Sequence, residues 1–249
     1  MIRTDLHIHT SYGDGRNTPE EMVLSAITMG MERIGFSEHS SVPFDPLEGM
    51  TGDNVRKYID EISGLKEKYR GRIEILCGIE QDFYSEQDVS AFDYVIGSVH
   101  YLKKDGVYFA VDDTPEILEQ ALADHYAGDS LALAEDYFST VSLVADKTGA
   151  DIIGHFDLIT KFCEKAIKIE TDDPAYISAW QRAADRLLPL GKPFEINTGA
   201  VSRGWRSAPY PDMRIIEYIR EHGGRFILSS DSHSSDTIAF GFDRFEFLL

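Results

Sequence analysis

The stretch "TDLHIHTSYGDG", residues 4–15, decides how the rest of the chain is read. In an extended strand alternate side chains share a face, so Asp5, His7 and His9 point one way and Leu6 and Ile8 the other. An isolated His-x-His suits a solvent-exposed edge or a hydrogen-bonded pair as readily as a metal ion. The positions of the other histidines and carboxylates separate these readings.

Short apolar runs that read as buried strands occur at residues 3–9, 32–36, 73–79, 94–99, 151–154, 193–196 and 225–228. Helix starts lie between most of them. Thr18 is an N-cap candidate with Pro19 at the first helical position and Glu21 closing a capping box, and Thr114-Pro115-Glu116 and Asp173-Pro174 repeat the signal. In "NVRKYIDEISGLKEKY" the residues Val55, Tyr58, Ile59, Ile62 and Leu65 fall at helical spacing and predict a stripe packed on the sheet. Strand and helix alternate with no Pro/Gly/Ser-rich linker, charge block or internal repeat, which predicts one α/β domain over residues 1–249 with a parallel sheet. Seven strands suggest an incomplete or distorted barrel; a doubly wound open sheet also fits the pattern.

In such folds chemistry sits at the carboxyl ends of the strands. The first run ends in His7 and His9, the second in Glu38-His39, the third in Glu80, the fourth in His100, the fifth in His155 and the seventh in Asp231 and His233. Neither histidine nor aspartate is favoured by strand propensity. Each has an ordinary reading, His39 in a loop, His100 bonded to backbone, Asp231 in a turn, but together they would bury several charges at one rim without compensation. Divalent metals supply it. Imidazole and carboxylate without thiolate suit Zn, Mn or Fe, and the ligands exceed one ion's needs, so two or three ions are expected. Glu80, central in the set, is the natural bridge, and a hydroxide held between metals is a nucleophile suited to phosphoester hydrolysis. His125 and His222 fall in helical contexts and are left off the site.

Composition narrows the partners. With 43 Asp plus Glu against 24 Lys plus Arg, a formal charge of −19, the chain lacks the cation density of a broad nucleic-acid face, and a small phosphorylated substrate is easier to accommodate. Cys77 and Cys163 form no CxxC motif and read as free thiols of a cytoplasmic protein, and no apolar stretch approaches a bilayer span. No oligomeric state follows.

These residues resemble the PHP family, named for polymerase and histidinol phosphatase, in the HxH after a short first strand and the closing Asp231-Ser232-His233. The resemblance runs the whole chain and implies a distorted (β/α)7 barrel with metals at its carboxyl rim. It also implies that His7, His9, Glu80 and Asp231 hold one ion, that Glu80 bridges to a second held by His100 and His155, and that His39 and His233 hold a third. Asp14, in "SYGDGRN", stands where some members carry a further histidine; a glycine-flanked aspartate is also a common turn residue. Asp5 is expected to orient an imidazole.

The strings "DYVIGSVHYL", "VDDTPEIL", "GHFDLITKF" and "EINTGAVSRG" resemble the histidinol-phosphate phosphatase branch. That branch hydrolyses L-histidinol phosphate to L-histidinol and phosphate in histidine biosynthesis, holding the phosphate with metals and basic side chains. The matching cations are Lys161, Arg203 and Arg206, while Thr160 stands where the branch is expected to carry a basic residue. The implied chemistry is metal-dependent phosphomonoester hydrolysis through a metal-bridging hydroxide, with Glu80 as bridge, Arg203 on the equatorial oxygens, and Asp231 and His233 as candidate acids. A PHP hydrolase of another phosphoester (nucleotide, sugar phosphate or phosphodiester) and a non-catalytic metal-binding module are the alternatives.

Overall fold

A computed structural model describes residues 2–45, 47 and 49–249; Met1, Pro46 and Glu48 lie outside the described residues. Among the described residues nine strands are present: β1 (Thr4–Asp5), β2 (Arg33–His39), β3 (Glu74–Asp82), β4 (Tyr94–Ser98), β5 (Tyr101–Lys104), β6 (Val107–Ala110), β7 (Ile152–Ile153), β8 (Phe194–Asn197) and β9 (Phe226–Ser229). Seven pair in parallel in the order β1-β2-β3-β4-β7-β8-β9. The two ends of that series meet, because His9 N donates to Ser232 O at 2.8 Å and Ser232 N to His7 O at 3.1 Å. The sheet is therefore a nearly closed seven-stranded barrel surrounded by helices, and the doubly wound alternative is excluded.

Most helices start where the capping residues direct. Thr18 accepts from Glu21 N while the Glu21 carboxylate accepts from Thr18 N at 2.8 Å, opening the helix Pro19–Thr28. Thr114 caps Pro115–Tyr126 and Asp173 caps Pro174–Leu187. The helix Gly52–Lys68 buries Val55, Tyr58, Ile62 and Leu65 against the sheet, with Ile59 half-buried beside them.

Two local departures from the sequence reading matter for the site. The first ladder covers only Thr4–Asp5; beyond it Ile8 O accepts from Ser37 N of β2 at 2.9 Å while Ile8 bridges to Ser232, so the His-x-His segment sits wedged where the barrel closes. The antiparallel hairpin β5–β6 does not appear among the expected strands. Its turn is Asp105-Gly106, both at positive φ (51° and 84°), the tight connection that Asp-Gly favours.

Inside the barrel Tyr94, Ile96 and Ile152 form an apolar plug with Leu6, Leu76 and Ile227 against it. The Tyr94 hydroxyl donates to Leu6 O (2.6 Å) and reaches Phe36 O (3.1 Å), tying β4 to the chain leaving β1 and to β2. A Cβ at Gly35 or Gly78 would collide with the Tyr94 side chain, so the ring occupies space that two glycines leave open. Gly78→Ala should therefore cost about 1–3 kcal/mol by overpacking, read in urea or thermal unfolding. Unchanged stability would show that the plug is loosely packed.

Candidate functional site

Strand register brings the site together. His39 in β2 lies opposite Glu80 in β3, and parallel neighbours in register carry their side chains on the same face. His100, His155 and Asp231 each follow a strand end by two residues, at β4, β7 and β9, and the closure of the barrel brings His7 and His9 against them.

Glu80 is the hub. Its Oε2 lies 3.1 Å from His7 Nε2, 3.0 Å from His39 Nδ1 and 3.6 Å from His9 Nε2. Its Oε1 lies 2.9 Å from His155 Nε2 and 3.1 Å from His100 Nε2, and accepts from Ser98 Oγ at 2.6 Å. Asp231 Oδ1 stands 3.5 Å from His9 Nε2 and 3.9 Å from His7 Nε2. The backbone of Asp231 is left-handed (φ 50°), uncommon for a residue with a side chain, and Gly199 leaves room beside its carboxylate, where a Cβ would come within 2.6 Å of Oδ2. Asp14 Oδ2 meets His233 Nε2 at 2.9 Å, and its Oδ1 lies 3.7 Å from His9 Nδ1.

Among the described residues three sets of ligand atoms, each within 4.8 Å of one another, could hold a cation: His7, His9 and Glu80; His39, Glu80 and His100; and His9, Asp14, His39 and His233. The donor chemistry fits divalent metal. His7 Nε2, both His9 ring nitrogens and Glu80 Oε2 are buried and without a hydrogen-bond partner among the described residues, a costly arrangement that a coordinated cation would relieve. Burial together with the charges of His233 and His39 lowers the His9 pKa to about 3, leaving it neutral as a ligand must be. Burial opposes protonation of His39, yet Glu80 outweighs it and raises the pKa to about 9. Burial likewise works against the charge on Glu80 and Asp231, but His7, His100 and His39 around the first, and Arg203 with His7 around the second, hold both well below the usual carboxylate range.

One carboxylate escaped the sequence reading. Glu195, in β8 and fully buried, takes His7 Nδ1 at 2.7 Å, His155 N at 3.0 Å and Ser229 Oγ at 2.7 Å, spanning four segments of the barrel. It fixes the His7 ring with Nε2 directed at Glu80, the role expected of Asp5. Asp5 instead accepts from Ser230 N (3.1 Å) and Oγ (2.5 Å), from Ala239 N (3.0 Å) and from the backbone N of His7 (3.4 Å), and binds no imidazole. The signal for Glu195 was a charged residue alternating with Phe194 and Ile196 in a strand buried at every position.

The expected cations divide. Lys161 and Arg203 line a cavity of about 270 Å³ together with Asp14, Glu80, His100, His155, Asp231 and His233. Lys161 donates to Asp112 O (2.5 Å) and Oδ2 (3.1 Å), and Arg203 to Asp231 Oδ2 (3.0 Å). Arg206 does not line this cavity: it is buried, donates to Thr160 Oγ1, lies 3.6 Å from Asp157 Oδ2 and covers the Tyr210 ring, so it braces the loop beneath the site. His125 stacks on Phe109, and His222 stacks on Tyr218 and bonds to its carbonyl, both away from the cluster.

Residues 5–199 match the PHP domain family. A "Probable histidinol-phosphatase" of Deinococcus radiodurans is 31% identical over 252 residues, covering 96% of this chain and 89% of the relative. A crystal structure of a histidinol phosphatase candidate from Listeria monocytogenes has a TM-score of 0.86 at 20% identity, over 97% of this chain and 99% of that one. The crystal structure of histidinol phosphate phosphatase from Lactococcus lactis, complexed with zinc, L-histidinol and phosphate, has a TM-score of 0.73 at 21% identity, over 99% of this chain and 92% of that one. At such identities these two structures speak for the fold.

Glu195→Gln should weaken zinc or manganese binding about 10- to 100-fold in a chelator-competition titration, with the fold retained by circular dichroism. Because protons compete for the ring nitrogens, and His39 keeps its proton up to about 9, metal affinity should rise as pH increases towards 9 and proton release should accompany binding. Affinity independent of both the substitution and pH would contradict the assignment of these side chains.

Proposed function

The chain belongs to the PHP domain family, and from that premise we propose that it is a metal-dependent phosphomonoesterase hydrolysing L-histidinol phosphate to L-histidinol and phosphate. The observation that carries the reading is the convergence of five imidazoles on one buried carboxylate, beside a cavity sized for a small ester and flanked by cations.

His7, His9 and Glu80, with Asp231 alongside, would hold one ion; His39, His100 and His155 share Glu80 with a second; Asp14 and His233 complete a third set with His9 and His39. Bound divalent ions supply Lewis-acid charge and lower the pKa of water to near neutrality. The protein's own contributions follow from geometry. Glu80 and Asp231, kept ionised, hold the cations; Arg203, fastened to Asp231, presents a guanidinium edge to the cavity suited to phosphoryl oxygens. An ionised Asp231 is a poor proton donor, so where the third set holds no ion His233, at the cavity wall with a side chain 23% exposed, would protonate the leaving alkoxide.

The substrate end opposite the phosphate also has a counterpart. Beyond His39 and His100 the cleft continues into a second cavity of about 170 Å³ lined by Asp82, Asp112, Asp113 and Tyr101, where the lining cation, Lys161, is paired with Asp112. An acidic wall suits the ammonium group of an amino alcohol and disfavours a second phosphate.

Metal-replete protein should release phosphate from L-histidinol phosphate faster than from sugar or nucleotide monoesters, and His9→Ala should abolish turnover together with metal content. No release from any monoester, or equal turnover of a phosphodiester, would refute the proposal. Asp113→Asn should raise KM for L-histidinol phosphate about two- to fivefold while leaving phenyl phosphate unchanged. A shift shared by both substrates would remove the acidic wall from substrate recognition.

A further inference from the structure

Three cations line the site cavity: Lys161, Arg203 and Arg16. Lys161 is paired with Asp112 and Arg203 with Asp231, so both charges are largely spent within the protein. The Arg16 guanidinium makes no hydrogen bond or ion pair with any described residue; its charge is felt by Asp236, whose carboxylate is itself held by Ser234. A carboxylate-rich cavity therefore keeps one cation uncommitted at its wall.

The position of Arg16 is built. Its backbone N donates to His233 O at 2.8 Å, and residues 11–17 fold back on themselves through Ser11 N to Asn17 O (2.9 Å) and Gly15 N to Thr10 O (3.0 Å). Asn17 Oδ1 accepts from Ser235 N at 2.9 Å, fastening the same loop to the segment after β9. Gly15 permits this docking, because a Cβ there would stand 2.6 Å from the backbone of Thr10. The loop that carries Asp14 thus fixes the arginine two residues later beside His233 at the cavity wall.

We propose that Arg16 binds the phosphate of the substrate and of the product, supplying the uncommitted charge that Arg203 and Lys161, paired internally, do not. The proposal rests on the phosphatase reading of the site. A guanidinium meets a phosphate with two parallel N–H···O bonds, and no hydrogen bond or ion pair with a described residue must be broken for Arg16 to do so. Its side chain is exposed and bonded to no described residue, so truncation should leave folding and metal content intact.

The test uses metal-loaded wild type, Arg16→Ala and Arg16→Lys. Steady-state hydrolysis of L-histidinol phosphate and calorimetric binding of inorganic phosphate are measured on each. Arg16→Ala should raise KM and the phosphate Kd about tenfold with kcat changed less than threefold and metal content unchanged, and Arg16→Lys should recover part of the loss. If wild type turns over the ester and Arg16→Ala matches it in KM and phosphate affinity, Arg16 is not a phosphate ligand. If wild type binds no phosphate and hydrolyses no ester, the phosphatase reading itself falls, and this inference with it.

Discussion

Glu80 is a fully buried carboxylate at the centre of a barrel, and the rest of the carboxyl rim is organised to make that position tolerable. An isolated ionised carboxylate in a low-dielectric interior is prohibitively expensive and would take up a proton. Five imidazoles drawn from β2, from the segments after β4 and β7, and from the His-x-His wedge surround it, with Ser98 adding a hydrogen bond. The same crowd that keeps Glu80 charged leaves ring nitrogens and an oxygen unpartnered. Protons satisfy part of that demand and metal cations the remainder, so the site is electrostatically complete only with cations in it.

A hub of this kind works only if the strands that feed it cannot slide. Two further buried carboxylates prevent that. Asp5 fastens the first strand to the segments following β9 through Ser230 and Ala239, and Glu195 fastens β8 to the His-x-His wedge, to the β7 end and to Ser229 of β9. Below them the apolar plug around Tyr94 fills the barrel, its hydroxyl bonded to two backbone carbonyls. Polar cross-braces above and close packing below hold the ligands at fixed separation, which pre-organises the donor set before any ion arrives.

What was legible in the sequence follows from range. His7, His9, His39, His100, His155 and His233 could be found because each lies in an apolar run or within about five residues after one, and in parallel α/β folds those positions share one rim whatever the register. Glu195 could not, because its partners His7 and His155 are 188 and 40 residues away and its own segment reads simply as a buried strand. Asp5 was misjudged for a related reason: face-sharing along a strand says nothing of Ser230, 225 residues on, which captures its carboxylate across the closed barrel. Arg206 was expected among the phosphate-binding cations, yet the fold sets it over Tyr210 and next to Asp157. The β5–β6 hairpin was announced by its Asp-Gly turn but lies outside the strand–helix alternation on which the barrel was inferred.

The charge distribution then bears on which phosphoesters such a site can admit. A chain carrying −19 repels polyanions at long range, and the cleft adds short-range selection. One end of it holds the cation-demanding cluster with Arg16 and Arg203 at the wall; the other, past His39 and His100, adds Asp82 and Asp113, while Asp112 and its partner Lys161 line both. A molecule with one phosphate and a cationic tail meets opposite charge at both ends. A nucleic-acid strand would have to seat its next phosphate against the acidic wall, where repulsion replaces attraction. On the proposed phosphatase reading, the difference in charge between two joined cavities, rather than the metal cluster alone, would favour small monoesters with a cationic tail.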